Sequence, residues 1–144
     1  MTWRKRLCKE KRFVQELKKA VDTYGFTGVE EKFIDICLLM GIGLAEDYNL
    51  QICARCGEAD EDVELELVQD KDGSLYYAIY TDSVQAHRSM QHSYYNVEYK
   101  LPMNYLLSTV KEEEVINGIC LNPYSGTPVI FTRPEISQIL AFAN

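Results

Sequence analysis

Apolar residues recur every three or four positions in the first forty residues of the chain, which is the spacing of helices that bury one face. Over residues 13–24 they form a single stripe, while the lysines and arginines of residues 1–25 lie mainly on the other side. The pattern predicts a basic amphipathic helix that ends at Gly25, because glycine readily adopts the left-handed conformation that follows a helix. A second helix is predicted over residues 29–39, and the glycines within residues 41–49 leave its end open.

Alternation of apolar and polar residues, the period of a half-buried strand, follows directly after these helices. It predicts strands over residues 50–55, 63–67 and 75–80. The Asp-Lys-Asp-Gly turn at residues 70–73 should join the last two as an antiparallel hairpin. In the strand over 63–67 the glutamates, Glu66 among them, alternate with valine and leucine, so they are predicted to lie on a face in contact with water.

The second half of the chain changes repeatedly between helical and strand patterns. It predicts a helix over 83–90 capped by Asp82 or Ser83, a strand over 97–101, a helix from Pro102 to Val110, strands over 116–121 and 129–132, and a helix that begins at Pro134. Asn122 is predicted to brace the turn between the last two strands, since asparagine side chains bond nearby backbone groups. We therefore predict one α+β domain over residues 1–144, with a mixed, largely antiparallel sheet flanked by helices.

Charge excludes some functional classes without indicating a reaction. The formal net charge is −7, but residues 1–19 carry +6, so the rest of the chain is strongly acidic. An acidic body is a poor nucleic-acid surface, because phosphate contacts need a broad basic face. The basic helix is interpreted as docked through its apolar stripe, and the alternative is a basic hook for a partner or for an acidic membrane surface.

The same sequence predicts a cytoplasmic protein. No apolar run approaches the roughly 20 residues that a membrane span needs, and the basic start of the chain lacks the apolar stretch of a signal peptide. Five cysteines, an odd number, argue against a disulfide framework and suit a reducing compartment. We expect neither a membrane nor a nucleic acid as partner.

Two groups of residues could carry chemistry, and each has a plainer interpretation. Cys53 and Cys56 have the spacing of a zinc pair, but structural zinc needs four ligands and no second pair follows, so they are weak metal candidates and no cofactor is predicted. Asp82, Ser83 and His87 are residue types of a hydrolytic site, yet helix capping also explains the first two. Because no recognisable catalytic motif is present, the protein is predicted not to be an enzyme.

Tyrosines are concentrated within residues 76–99. In a strand over 75–80, Tyr76 and Tyr80 share one face and Tyr77 points to the other. Tyrosine combines a large apolar ring with a polar tip, which suits recognition surfaces, so Tyr76 and Tyr80 are the candidate interaction face. The alternative is that tyrosine is simply favoured in strands.

Three segments resemble the N-terminal domain of the SseB-like (serine-sensitivity enhancer) family. They are LYYAIYTDSVQA at 75–86, VEYKLPMNYLLSTV at 97–110 and INGICLNPYSGTPVIFTRPEISQIL at 116–140. The resemblance is clearest over residues 75–140, and the stretch from Gly118 to Pro123 is its most specific part. It implies a bacterial protein with an α+β fold, and it transfers no catalytic residue or cofactor.

These features predict a non-enzymatic protein-interaction or regulatory module of the SseB-like type, with a protein partner and with a homodimer left open. One alternative is a small enzyme or ligand-binding protein whose site is assembled from scattered residues. Another is an acidic immunity or accessory protein that masks a basic partner through the acid-rich residues 58–72.

Overall fold

A computed structural model of the chain describes residues 3–56, 63–90, 95 and 97–143. Its helices are α1 (Trp3–Thr27), α2 (Glu30–Ala45), α3 (Ser83–Met90), α4 (Met103–Glu112) and α5 (Arg133–Phe142). Its strands are β1 (Asn49–Cys56), β2 (Val63–Leu65), β3 (Leu67–Gln69), β4 (Leu75–Ile79), β5 (Val97–Pro102), β6 (Gly118–Leu121) and β7 (Val129–Thr132). The fold is α+β, as the sequence pattern predicts.

The described strands form two small sheets. In the first sheet, β1 lies between β2 and β5, and both pairings are antiparallel. In the second sheet the order is β3-β4-β6-β7, with β4 and β6 parallel and the other pairs antiparallel. The β3–β4 and β6–β7 hairpins confirm two predicted pairings. The strand predicted over residues 63–67 is divided, because the chain leaves the first sheet after Leu65 and enters the second at Leu67.

The end of α1 differs from its prediction, because the helix continues past Gly25 to Thr27. The left-handed residue that follows is Gly28, with a φ of 65°, so the predicted role of Gly25 as the helix stop is wrong. Gly25 instead lies against the loop before β7, where an added Cβ atom would be 2.1 Å from the Cγ2 atom of Thr127. Close packing, not backbone conformation, therefore excludes a side chain at this position.

The apolar stripe of α1 is buried as predicted. Phe13, Leu17 and Val21 of this helix enter the main core, which continues to the strands through residues such as Ile52 of β1 and Ile119 of β6. α2 continues to its end as one unbroken helix and contacts both α1 and α5. No helix in the described part of the chain combines the length and the apolar character needed to cross a membrane.

Candidate functional site

Asp82, Ser83 and His87 lie at and near the start of α3. The Oδ1 atom of Asp82 accepts a hydrogen bond from the backbone N–H of Gln85 at 3.0 Å, which confirms that Asp82 caps α3. Ser83 donates to Oε1 of Glu98 at 2.6 Å, and Nε2 of His87 lies 3.1 Å from Oε2 of the same carboxylate. The serine hydroxyl therefore donates its proton to a hydrogen bond with Glu98, and not to the imidazole as in a hydrolytic relay.

Replacing Asp82 with alanine should lower the free energy of unfolding by about 1 kcal/mol, the usual cost of losing an N-terminal helix cap. Asp82→Asn is the matched control, because asparagine can accept the same bond from Gln85. Urea unfolding of the three proteins, followed by circular dichroism, measures the difference. An alanine variant as stable as the wild type would show that this cap does not stabilise α3.

A groove of about 380 Å³ opens between α1, β1, β5 and the residues before α3. Its lining includes the carboxylates of Glu10 and Asp82 and the ammonium group of Lys100. Both carboxylates already accept hydrogen bonds from other groups of the protein. Glu10 accepts hydrogen bonds from the backbone and side-chain nitrogens of Asn49 at 3.3 and 3.5 Å, and Asp82 caps α3. Glu10 therefore joins α1 to the first sheet, and Asp82 caps the first turn of α3.

Cys53 is buried in the middle of β1, with its Sγ atom 3.4 Å from the backbone carbonyl oxygen of Ala86. Burial, reinforced by the nearby Glu66 carboxyl group, raises the pKa of Cys53 to about 12. Such a thiol stays protonated at neutral pH, whereas metal ligation and nucleophilic attack need the thiolate. Cys56 ends β1, and its side chain lies outside the described part of the chain. Among the described residues, no group of three or more histidine, cysteine, aspartate or glutamate side chains could hold a metal ion.

Tyr76 and Tyr80, the candidate interaction face, both lie inside the fold. Tyr76 is 7% exposed and Tyr80 is fully buried. The reason is that β4 is an internal strand between β3 and β6, and Ala86 of α3 packs in the same cluster as Tyr80. The Tyr80 hydroxyl donates to Glu66 at 2.5 Å, and the Tyr76 hydroxyl donates to Asp70 at 3.1 Å. Buried side chains cannot present this candidate interaction face, and both tyrosines instead support the second sheet.

Glu66 is the residue whose environment differs most from the one that the sequence pattern predicts. It lies between β2 and β3, where the chain crosses from the first sheet to the second, and it is 1% exposed. Its carboxylate accepts hydrogen bonds from the hydroxyls of Tyr80 and Ser89, each at 2.5 Å. Burial raises the pKa of Glu66, and the two hydrogen bonds oppose that rise only in part. No local signal marks this residue, because Glu64 in the same alternating pattern is exposed.

Asn122 follows β6 and is buried, with a left-handed φ of 53°. Its backbone carbonyl oxygen accepts hydrogen bonds from the backbone N–H and the hydroxyl of Ser125, so the turn is held by the main chain of Asn122 and not, as predicted, by its side chain. Its side chain acts elsewhere: Oδ1 accepts from the backbone N–H of Thr81 at 3.0 Å, and Nδ2 donates to the Thr81 hydroxyl at 3.1 Å. The side chain thus joins the ends of the parallel strands β4 and β6, a contact that sequence spacing does not indicate.

An exposed apolar surface runs along α2. Ile34, Leu38 and Ile42 follow one another at four-residue intervals on one side of the helix, and Phe142 of α5 lies beside them against Gly41. These four large side chains, which we call the α2 stripe, are between 46% and 56% exposed. The sequence pattern indicates one buried face for α2 and does not indicate a second, exposed apolar face. The helix does carry a signal for it, because apolar residues occupy more of its circumference than one buried face requires.

Comparison with known proteins gives one match. The family model described as the SseB protein N-terminal domain matches residues 28–138. The matched region begins after α1 and extends into α5, so it contains both sheets and the whole of α2. No curated protein and no solved structure gives a significant match to the chain.

Proposed function

The chain belongs to the family of SseB protein N-terminal domains, and from that premise we propose that it is a non-enzymatic protein-interaction or regulatory module that contacts its partner through the α2 stripe. The exposure of this stripe carries the proposal. Contiguous apolar side chains of this size rarely stay in contact with water unless another molecule covers them. α2 lies within the matched residues, so this surface belongs to the part of the chain that the family model describes.

The alternative of a small enzyme has less support from the contacts around α3. A catalytic site needs reactive groups that converge on one point. Ser83 and His87 instead each bond to an oxygen of the same Glu98 carboxylate, and the carboxylates of Glu10 and Asp82 are occupied by backbone and side-chain donors of the protein itself. These contacts favour a structural role for the four side chains.

The alternative of an acidic protein that masks a basic partner is also less favoured. Two acids of the region over residues 58–72 are engaged in hydrogen bonds within the fold, while Glu64 and Asp72 of the same region are exposed. Glu66 is buried, and Asp70 accepts hydrogen bonds from the backbone N–H groups of Asp72 and Ser74, each at 2.9 Å. Carboxylates that are already satisfied within the fold contribute little to electrostatic attraction of a partner.

Affinity capture with matched baits tests the proposal. The double variant Ile34→Gln/Ile42→Gln should lose capture of the partner at least about tenfold, because truncating two interface anchors removes more than the 1.4 kcal/mol that corresponds to a factor of ten. Val84→Gln, which alters an exposed valine on α3, is the matched control and should capture normally. The captured protein is then purified and titrated against each bait by calorimetry.

Circular dichroism and thermal melting establish that every bait is folded. The proposed function is wrong if the double α2 variant binds the purified partner with wild-type affinity. It is equally wrong if Ser83→Ala or His87→Ala, in a folded protein, abolishes binding of the purified partner while the double α2 variant still binds it.

A further inference from the structure

We propose that the molecule that covers the α2 stripe is a second copy of this chain, docked with its α2 antiparallel to the first. This inference rests on the proposed function, because it names the occupant of the same surface. It requires that the apolar residues and the charges of this face be complementary to themselves under a twofold rotation.

The apolar residues meet this requirement. Ile34, Leu38 and Ile42 lie on one i, i+4 ridge of α2, and such ridges interdigitate in the commonest class of helix packing. A twofold axis at Leu38 places Ile34 of each copy against Ile42 of the other. Phe142 flanks the ridge on α5 and extends the apolar contact on that side.

The charges at the two ends of this face have opposite sign. Arg6 donates to the backbone carbonyl oxygens of Glu46 and Asp47 at 2.8 and 3.1 Å, so the start of α1 lies beside the end of α2. The exposed cations of this part of α1 are Arg4, Lys5, Arg6, Lys9, Lys11 and Arg12. The opposite end of α2 exposes the acids Glu30, Glu31 and Asp35, with Lys32 among them.

Part of these charges lies on the side of the molecule where α1 meets α2, whereas Lys11 lines the groove between α1 and the first sheet. A groove at the junction of α1 and α2 is lined on α1 by Lys19 and Thr23, with Glu16 beside them, and on α2 by Lys32 and by Asp35, the residue next to the α2 stripe. Arg12 and Lys9 come seven and fourteen residues before those two α1 positions, so they lie on nearly the same side of α1. The antiparallel arrangement brings the acidic end of each α2 to the basic end of the other copy, whereas a parallel arrangement would place like charges together.

Sedimentation equilibrium of the full chain tests the proposal. The wild type should show a reversible monomer–dimer equilibrium between about 1 μM and 1 mM, the range in which small interfaces associate. Raising the salt to 0.5 M should weaken the dimer, because that concentration shortens the Debye length to about 4 Å. Leu38→Lys should weaken it at least about tenfold, since the axis places the two new ammonium groups against each other, and Leu38→Glu should do the same.

A mixture of the two variants separates this arrangement from any other. Leu38→Lys mixed with Leu38→Glu should form a heterodimer at least about tenfold tighter than either variant alone, because opposite charges then meet at the axis. Val84→Lys, at an exposed position on α3, should dimerise like the wild type. Carbodiimide cross-linking tests the arrangement in the wild type. With labelled and unlabelled chains mixed, so that links between copies can be recognised, it should join Lys9 of one copy to Glu31 or Asp35 of the other.

The proposal is overturned if the wild type stays monomeric over the whole range, or if Leu38→Lys and Leu38→Glu dimerise as well as the wild type. It is also overturned if their mixture shows no gain, or if cross-links between copies avoid α1 and α2. A monomeric chain whose capture of a different protein still depends on Ile34 and Ile42 would reject the second copy alone and leave the proposed function standing.

Discussion

Replacing Glu66 with alanine is expected to lower the free energy of unfolding by about 3–5 kcal/mol, the largest effect that we expect from a single side chain in this protein. The substitution leaves the hydroxyls of Tyr80 and Ser89 buried without their acceptor, and each unpaired buried group costs about 1–3 kcal/mol. It also opens a cavity at the point where the two sheets meet. Urea unfolding measures the loss.

Glu66→Gln is the matched control for this prediction. Glutamine fills nearly the same volume and keeps one carbonyl oxygen as an acceptor, so its loss of stability at neutral pH should be clearly smaller than that of the alanine variant. Equal losses in the two variants would mean that the carboxylate, and not the filled volume or the neutral hydrogen bonds, determines the stability at this position.

The same residue predicts how stability depends on pH. Burial raises the pKa of Glu66 above the ordinary glutamate value of 4.5, so the folded state holds its proton more tightly than the unfolded state does. Its contribution to stability is complete below pH 4.5 and is lost as the pH rises through the raised pKa. Relative to Glu66→Gln, the wild type should therefore lose stability with rising pH, by at most about 1.4 kcal/mol per pH unit. A difference that stays constant, or grows in favour of the wild type, contradicts this assignment.

Gly118→Ala is expected to destabilise the fold by about 2–4 kcal/mol, through contact with a backbone that cannot move away. An added Cβ atom would lie 2.0 Å from the backbone carbonyl oxygen of Phe131 in the paired strand β7. Gly118 also pairs with Tyr76 of β4, so β6 is held on both sides and cannot shift without breaking the second sheet. Thermal and urea unfolding should both show the loss.

The matched control is Gly126→Ala in the loop between β6 and β7. An added Cβ atom there meets no atom within 4 Å, so the free energy of unfolding should change by no more than about 0.5 kcal/mol. If the two variants prove equally stable, the close approach of Phe131 to Gly118 does not limit the residue at this position.

Local patterns predict the elements of this fold better than they predict its side-chain environments. Alternation is sufficient to find β1, and the nearly continuous apolar run over residues 116–121 correctly indicates a buried strand, of which residues 118–121 form β6. Helical spacing and a capping aspartate likewise place α3, because these signals depend on neighbours within one turn. Gly25 and Gly28 are chemically the same residue, however, and only the packing of Thr127 against Gly25 separates their roles.

The candidate site depends on contacts that local patterns do not contain. Glu66 and Tyr80 meet only because the chain changes sheets between β2 and β3, so an alternating pattern that continues across this point assigns Glu66 to the wrong environment. Tyr76 is covered for a similar reason, since nothing in residues 75–80 shows that β4 has a strand on each side. The α2 stripe differs from these cases, because its unusual apolar coverage can be read from the helix itself.

The two sheets take their strands from the chain in alternation, and this limits how the polypeptide can be divided. β1 pairs with β5 in one sheet, β4 pairs with β6 in the other, and along the chain the four strands follow the order β1, β4, β5, β6. A cut between β4 and β5 therefore leaves each fragment with only part of both sheets, while cuts on either side still separate one pair of partners. Neither sheet can form before distant segments have met, which raises the contact order of the fold. For the described strands we therefore expect assembly as one cooperative unit, because neither half of the chain retains a complete sheet.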